Sequence, residues 1–370
     1  MIDRSDDLET SEDVASGART GPLQGFRVLD LSAVVSGPMA AMVLADQGAD
    51  VIKVEPPGWG DGIRGMGASR NGLSAIYAMI NRNKRSIAIN LKHSVGQELI
   101  RRLVSSADVV MQNFRPGKME SLGLSYAELS AINPRLVYLS ITGMGEVGPL
   151  AQQRVYDYVI QALSGAVDAQ GEGADFATIR TILYDKVTAL TAAQGVTAAL
   201  LQRERTDVGQ HVKVSMLDTA VHFNWPELMW NYAFVGDGVY ASGDLADMYQ
   251  VARTQDGAVV ASHLGADCSA YATADLLDLF AQHDVPVGPV VRRADLAEHA
   301  QIKAAAILQE YAHPRGGMLR QPRSPIRYSA NPAETPRPSA DLGEHTVEIL
   351  SELGIEFEEM QTWARQGAIG

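Results

Sequence analysis

Apolar residues along this chain fall into short unbroken blocks, separated by stretches in which they return every third or fourth position. The block at 26–32 (Phe-Arg-Val-Leu-Asp-Leu-Ser) predicts a buried strand. Gly37-Pro38 then opens an Ala/Met/Leu helix to about Gln47, which Gly48 closes. Residues 50–55 predict a second strand. A strand–helix–strand unit of about 30 residues pairs its strands in parallel. The same alternation predicts strands at 86–91, 108–114 and 136–142, with helices at 96–106 and 126–132. Helices at 156–164 and 187–203 and a strand at 210–216 complete this half. The spacing predicts an α/β fold on an open, mostly parallel sheet.

The character changes after Asp218. Residues 220–235 carry Trp225, Trp230 and Tyr232 and read as a buried helix or crossover. Residues 249–262 predict a hairpin, with Asp256-Gly257 supplying a φ > 0 turn. Helices near 273–282 and 294–310 follow, with 286–291 between them. Residues 313–340 are proline-rich and read as an extended connection; 346–353 predicts a helix closed by Gly354. The acidic stretch 1–22, ending at Gly21-Pro22, reads as a disordered leader.

The length of 370 residues suggests about two domains. With 31 Lys plus Arg against 44 Asp plus Glu, the formal charge is −13. Without a basic run, this argues against a nucleic-acid partner, but not against an anionic ligand held at a local basic site. The single cysteine, Cys268, excludes an internal disulfide and fits a reducing, cytoplasmic setting. The longest uncharged stretches, 31–45 and 187–202, fall short of the roughly 20 apolar residues of a membrane span. The eight histidines are scattered and there is no second cysteine, so no metal site is expected.

Candidate chemistry gathers at predicted strand ends. Lys84-Arg85 precedes one strand and Arg115 with Lys118 follows another, a distribution that suits a phosphate-bearing ligand or solvated surface charge. Gly143-Met-Gly145-Glu-Val-Gly148 matches Gly-x-Gly-x-x-Gly, but Pro149 follows where a dinucleotide site needs a helix. It reads as a tight loop lining a pocket. Asp185 directly precedes the uncharged run from Val187 to Gln202. Its plain reading is a helix N-cap, kept ionised by the positive helix end; an ionised carboxylate there is also a fair nucleophile.

Together these segments resemble the class III CoA-transferase family, which also contains α-methylacyl-CoA racemases. The resemblance rests on Gly25–Ser32 with Ser36-Gly-Pro38, Gly48–Glu55 with Gly60-Asp61 and Arg64, and Asn83-Lys-Arg-Ser86. It continues through Asp108–Gly117, Ser140–Gly143, Tyr156-Asp157, Gly209-Gln210, Val285–Val290 and Leu350–Gly354, and covers roughly residues 22–355 in order.

The resemblance implies a Rossmann-like large domain (23–220 plus 325–370) that binds CoA, and a smaller inserted α+β domain (221–324). It implies an interlocked homodimer. It assigns Asp185 as the carboxylate that attacks an acyl-CoA thioester, and Val34, Val35, Lys84, Arg85, Asn113, Arg115, Arg154 and Tyr156 as coenzyme A contacts, with a carboxylic acid as the second substrate. Racemases of the family pair their aspartate with a histidine. That position is Tyr156 here, and no histidine occurs between His93 and His211. A phenol of pKa near 10 is a poor base, so transfer is favoured over racemisation. A non-catalytic CoA-binding protein is the other alternative. Two departures bear on it: the chain is short between Gly265 and Asp284, and Pro56 stands where some members carry a CoA-contacting arginine.

Overall fold

The computed structural model describes residues 20–171, 175–262, 267–331 and 336–370. Most of the predicted leader, and Gly265, lie outside the described residues. Its last residues do not: Gly21 lies against Gln47 and Gly48, where a Cβ would fall 2.2 Å from the Gln47 carbonyl.

Six strands form one parallel sheet: β1 (Arg27–Asp30), β2 (Asp50–Glu55), β3 (Lys84–Ala88), β4 (Val109–Gln112), β5 (Val137–Thr142) and β6 (His211–Ser215). Their spatial order is β3-β2-β1-β4-β5-β6. This is the doubly wound order, and it reverses direction between β1 and β4. Adjacent residues of β1 show why both faces are covered. Val28 points into one apolar cluster and Leu29 into the other.

On the Val28 side, α1 (Ser36–Asp46) packs against α6 (Leu183–Thr206) through Ala40, Ala41, Leu44 and Ala45 facing Ala189, Ala192, Ala193 and Val196. Such small side chains let the two helices approach closely, which explains why the core of α6 needs no large apolar stripe. On the Leu29 side lie α3 (Ser94–Val104), α4 (Tyr126–Ile132) and, from the far end of the chain, α9 (Thr346–Glu352) and α10 (Phe357–Arg365). Ile349, Leu350, Met360 and Ile369 return the C-terminal segment to the first half of the chain. Between the sheet's elements, α2 (Ala75–Ile80) and α5 (Asp157–Leu163) fill connections.

After β6, Ser215 caps α7 (Met216–Leu228) by accepting from the Asp218 N–H at 3.0 Å. The expectation of a buried segment at 220–235 is corrected here. Only Met216, Thr219, Ala220 and Asn224 of α7 are buried, while Tyr232 is 71% and Phe234 75% exposed. One stripe suffices to pack this helix, and its aromatics lie on the other side. Strands β7 (Tyr249–Arg253) and β8 (Ala258–Ser262) do form a hairpin, and β9 (Val287–Pro289) adds to it, with α8 (Thr273–Gln282) alongside. Its four-residue turn differs from expectation, because Gly257 is not left-handed. Asp256 instead accepts from the Thr273 N–H at 2.8 Å.

The helix expected at 294–310 is confined to short turns ending at Ala304. Residues 308–322 instead form a second hairpin, β10 (Leu308–His313) and β11 (Gly317–Pro322), which takes the end of that expected helix and the start of the segment read as an extended connection. Gly317, at φ +71°, permits the turn after Pro314. Among the described residues no helix is long and apolar enough to cross a membrane.

Candidate active site

Where the strand order reverses, between β1 and β4, the connections that follow the two strands leave in opposite directions along the sheet. Open α/β sheets bind ligands at such a point. A cleft of about 260 Å³ opens there, and Val34, Val35, Asn113, Arg115, Arg154, Tyr156 and Asp185 all line it. Thus seven of the nine site residues expected from sequence converge, although they span residues 34 to 185.

The cleft floor is the β1–α1 loop, and its backbone is held from three sides. Lys53 Nζ donates to the Ser32 carbonyl at 2.8 Å. Asn113 clamps Ala33 in both directions, its Oδ1 accepting from the Ala33 N–H at 2.8 Å and its Nδ2 donating to the Ala33 carbonyl at 2.7 Å. The Asp61 carboxylate accepts from the Val34 N–H at 3.1 Å. Val34 takes φ 69°, a conformation that a β-branched residue rarely adopts and that the surroundings must enforce. Helix α1 then starts at the cleft with no side-chain cap, its N-cap being Val35. Its positive end therefore faces the cleft.

Beneath this loop lies a buried charge cluster. Lys84 pairs with Asp30 at 2.8 Å and Lys53 with Asp61 at 3.1 Å, all four side chains being almost fully buried. The two lysines hold the Asp30 carboxyl below its ordinary value despite burial. Burial in turn pushes Lys84 down to about 8, against the pull of Asp30. Lys84 is thus occupied beneath the site and does not line the cleft, contrary to expectation. Arg85 is also placed elsewhere. It pairs with Asp50, Glu348 and Glu352 and lines a separate hollow of about 430 Å³ at the opposite ends of the strands. That hollow is larger, but its charges neutralise one another and it lies at the wrong end of a parallel sheet for a ligand.

Asp185 lies in the first turn of α6. It is not the cap that its local sequence suggests. Asp157, 3% exposed, takes that role from another helix: its Oδ1 accepts from the Tyr184 N–H at 2.6 Å and from the Asp185 N–H at 3.1 Å. Gln161 ties the same carboxylate to the segment before α6, accepting from the Ile179 N–H at 2.9 Å and donating to the Thr181 carbonyl at 3.0 Å. The Asp185 carboxylate is left free for the cleft; among the described residues no side chain donates a hydrogen bond to it. Burial, then the negative charge of Asp157, push its pKa up to about 6, against the nearby Lys186. It is still mainly ionised at pH 7, but less well solvated than an ordinary aspartate, so its oxygens are available for attack.

At the rim, Arg154 donates to the Tyr156 hydroxyl at 2.7 Å. The loop after β5 carries Gly143, which lines the cleft, and Gly145 and Gly148, both at positive φ. No helix begins inside this Gly-x-Gly-x-x-Gly, in keeping with a pocket loop. Sequence reasoning assigns Asp157 and Gln161 no role at the site, although Tyr156-Asp157 is part of the family resemblance. Their local signal is an i, i+4 spacing on a short helix, which does not point to a cap on another helix.

Residues 23–267 and 250–346 match the sequence profile of CoA-transferase family III. The chain is 33% identical over 387 residues to a succinate–glutarate CoA-transferase of Agrobacterium fabrum, covering 90% of this chain and 96% of that protein. It is 32% identical over 378 residues to a human succinyl-CoA:glutarate CoA-transferase, covering 90% and 86% respectively. A solved CAIB/BAIF family protein from Brucella suis has a TM-score of 0.80 at 31% identity, over 90% of this chain and all of that one. The profile match spans the cleft, its floor and the strand order that creates them, and the chain belongs to CoA-transferase family III.

Proposed function

We propose that this protein transfers CoA from an acyl-CoA to a free carboxylic acid, with Asp185 as the nucleophile. The observation that carries the reading is the Asp185 carboxylate itself, oriented by α6, unpaired and partly desolvated at the switch point of the sheet.

The chemistry needs four exchanges. An Asp185 oxygen attacks the thioester carbonyl, the C–S bond breaks, and CoA leaves as thiolate; a mixed anhydride remains. The thiolate attacks the aspartyl carbonyl, which releases the donor acid and leaves an aspartyl-CoA thioester. The acceptor carboxylate attacks that thioester and expels thiolate, forming a second anhydride. Thiolate then attacks the acceptor's carbonyl, giving the new acyl-CoA and restoring Asp185. Each step exchanges one activated acyl group for another, so the protein supplies proximity and donors for the developing oxyanions. Arg115 and Arg154, with the open N-terminus of α1, supply positive potential for the CoA phosphates. Lys84 and Arg85 serve the fold instead.

Racemisation is disfavoured because it needs a second base facing the α-carbon. No histidine lines the cleft among the described residues, and Tyr156 already accepts a hydrogen bond from Arg154. We also propose that the exposed aromatics around Tyr232 and Phe234 are covered by a second copy of the chain, with 221–324 as a smaller unit over the cleft.

The test is incubation with a panel of acyl-CoA donors and mono- and dicarboxylate acceptors. The expected result is a new acyl-CoA and no α-proton exchange in deuterated water. Proton exchange without transfer would support racemisation, and CoA binding without either would leave a non-catalytic protein.

A further inference from the structure

Three polar side chains run in line across β4, β5 and β6. Gln112 ends β4 opposite Ser140 of β5, and His211 opens β6 beside Tyr138. Gln112 and Ser140 are buried. Gln112 Oε1 accepts from the Phe114 N–H at 2.7 Å. That contact fixes which way the amide points, so its Nε2 donates to Ser140 Oγ at 2.8 Å. Ser140 then has one proton to give, and His211 Nε2 lies 2.8 Å from its oxygen. Among the described residues His211 Nε2 is the one acceptor for that proton, and accepting it requires a neutral ring.

The other end of this line is the turn after β4. Phe114 and Arg115 line both the cleft and a small hollow that His211 shares. We propose that His211 is a positioning residue for CoA binding, acting through Ser140 and Gln112 to fix the turn that carries Asn113 and Arg115. The proposal rests on Arg115 being a CoA contact.

The arrangement makes the turn sensitive to acid. Charged or titratable groups facing His211 come from each neighbouring element: Lys213 on its own strand, Glu146 from the loop after β5, and Glu120 from the short helix Lys118–Ser121. Tyr126 of α4 and Tyr138 of β5 flank the ring at 5.0 and 5.1 Å. Burial, then Lys213, hold the His211 pKa below its ordinary 6.5, so the ring is neutral at pH 7. Once protonated, Nε2 becomes a donor. Ser140 would then face two donors and have no acceptor for its own proton among the described residues, and the line is broken.

Steady-state kinetics of the full-length protein test this. His211→Leu is expected to raise KM for acyl-CoA about tenfold, the scale of one lost hydrogen bond, with kcat changing much less. In His211→Gln the amide oxygen can reach the position of Nε2 and accept from Ser140. KM should therefore recover, and should lose the extra rise expected of the parent on acidification. His211→Asn, whose oxygen mimics Nδ1, should not rescue. Arg115→Ala is the control for the underlying reading. If it leaves KM unchanged, the CoA assignment of Arg115 fails and the proposal with it. If it raises KM while His211→Leu does not, the proposal alone is overturned. Should His211→Leu fail to fold, His211→Gln still decides: a pH dependence of KM identical to the parent's refutes the proposal.

Discussion

Asparagine at position 185 should abolish transfer and yet make the folded protein more stable at pH 7. A carboxyl held at about 6, where an ordinary aspartate titrates near 3.8, carries its charge at a cost to the fold. Each pH unit of displacement corresponds to 1.36 kcal/mol, so the penalty is about 3 kcal/mol when the group is fully ionised. Asparagine is nearly isosteric and neutral, but its amide must also be partly desolvated, so the net gain expected is about 1–2 kcal/mol. For a chain this long, that moves the unfolding midpoint up by about 2 °C.

The pH dependence separates this from a generic effect of the amide. Folded Asp185 is ionised above about 6, and its unfolded counterpart above about 3.8. The penalty is full above 6, shrinks as pH falls between those values, and is gone below 3.8. Urea unfolding of parent and Asp185→Asn at pH 7.5, 6 and 5 reads it directly. The expected result is a margin in favour of the variant that narrows with acidification. A variant less stable than the parent at pH 7.5, or a margin that widens as pH falls, would refute the reasoning.

The same pKa sets the acid limb of activity. Transfer should decline as pH falls through about 6, and Asp157→Asn, which removes a negative charge beside Asp185, should move that limb to lower pH in kcat/KM profiles from pH 5 to 8. Lys84→Met leaves Asp30 buried without its closest partner and should cost about 3–5 kcal/mol in urea unfolding, with KM for acyl-CoA nearly unchanged. A rise in KM with little loss of stability would instead return Lys84 to the CoA site. Asp61→Ala removes the partner of buried Lys53 and the acceptor for the Val34 N–H, so it should lower stability by a similar ~3–5 kcal/mol and also raise KM, because the cleft floor is released.

Much of the fold is legible because period and punctuation agree. Val28 and Leu29 sit in a continuous apolar block because both faces of β1 are covered, and Gly37-Pro38 and Gly48 bracket α1. The hairpin at 308–322 escapes this reading because Pro314 and the charged Arg315 interrupt its alternation; its register comes from the turn at Gly317 and the burial of Tyr311 and His313. At the site, Val34, Asn113, Arg115 and Asp185 are legible as strand-end or helix-start positions. Lys84 and Arg85 resemble ligand-binding cations in sequence, yet partners distant in sequence claim them: Asp30 in one case, Glu348 and Glu352 in the other. Asp157 capping a helix that begins 26 residues later is likewise a tertiary contact with no local signature.

The central claim is that an oxygen of Asp185 enters and leaves the reacting acyl group. Turnover with an acceptor acid labelled with oxygen-18 in its carboxylate tests this most directly. In the proposed sequence the acceptor's oxygen bridges the second anhydride and stays on Asp185 when thiolate breaks that anhydride. After turnover, mass analysis of the peptide carrying Asp185 should show a gain of one heavy oxygen, then two, with no label in an Asp185→Asn control. Transfer of CoA that proceeds while this peptide remains unlabelled would contradict the account.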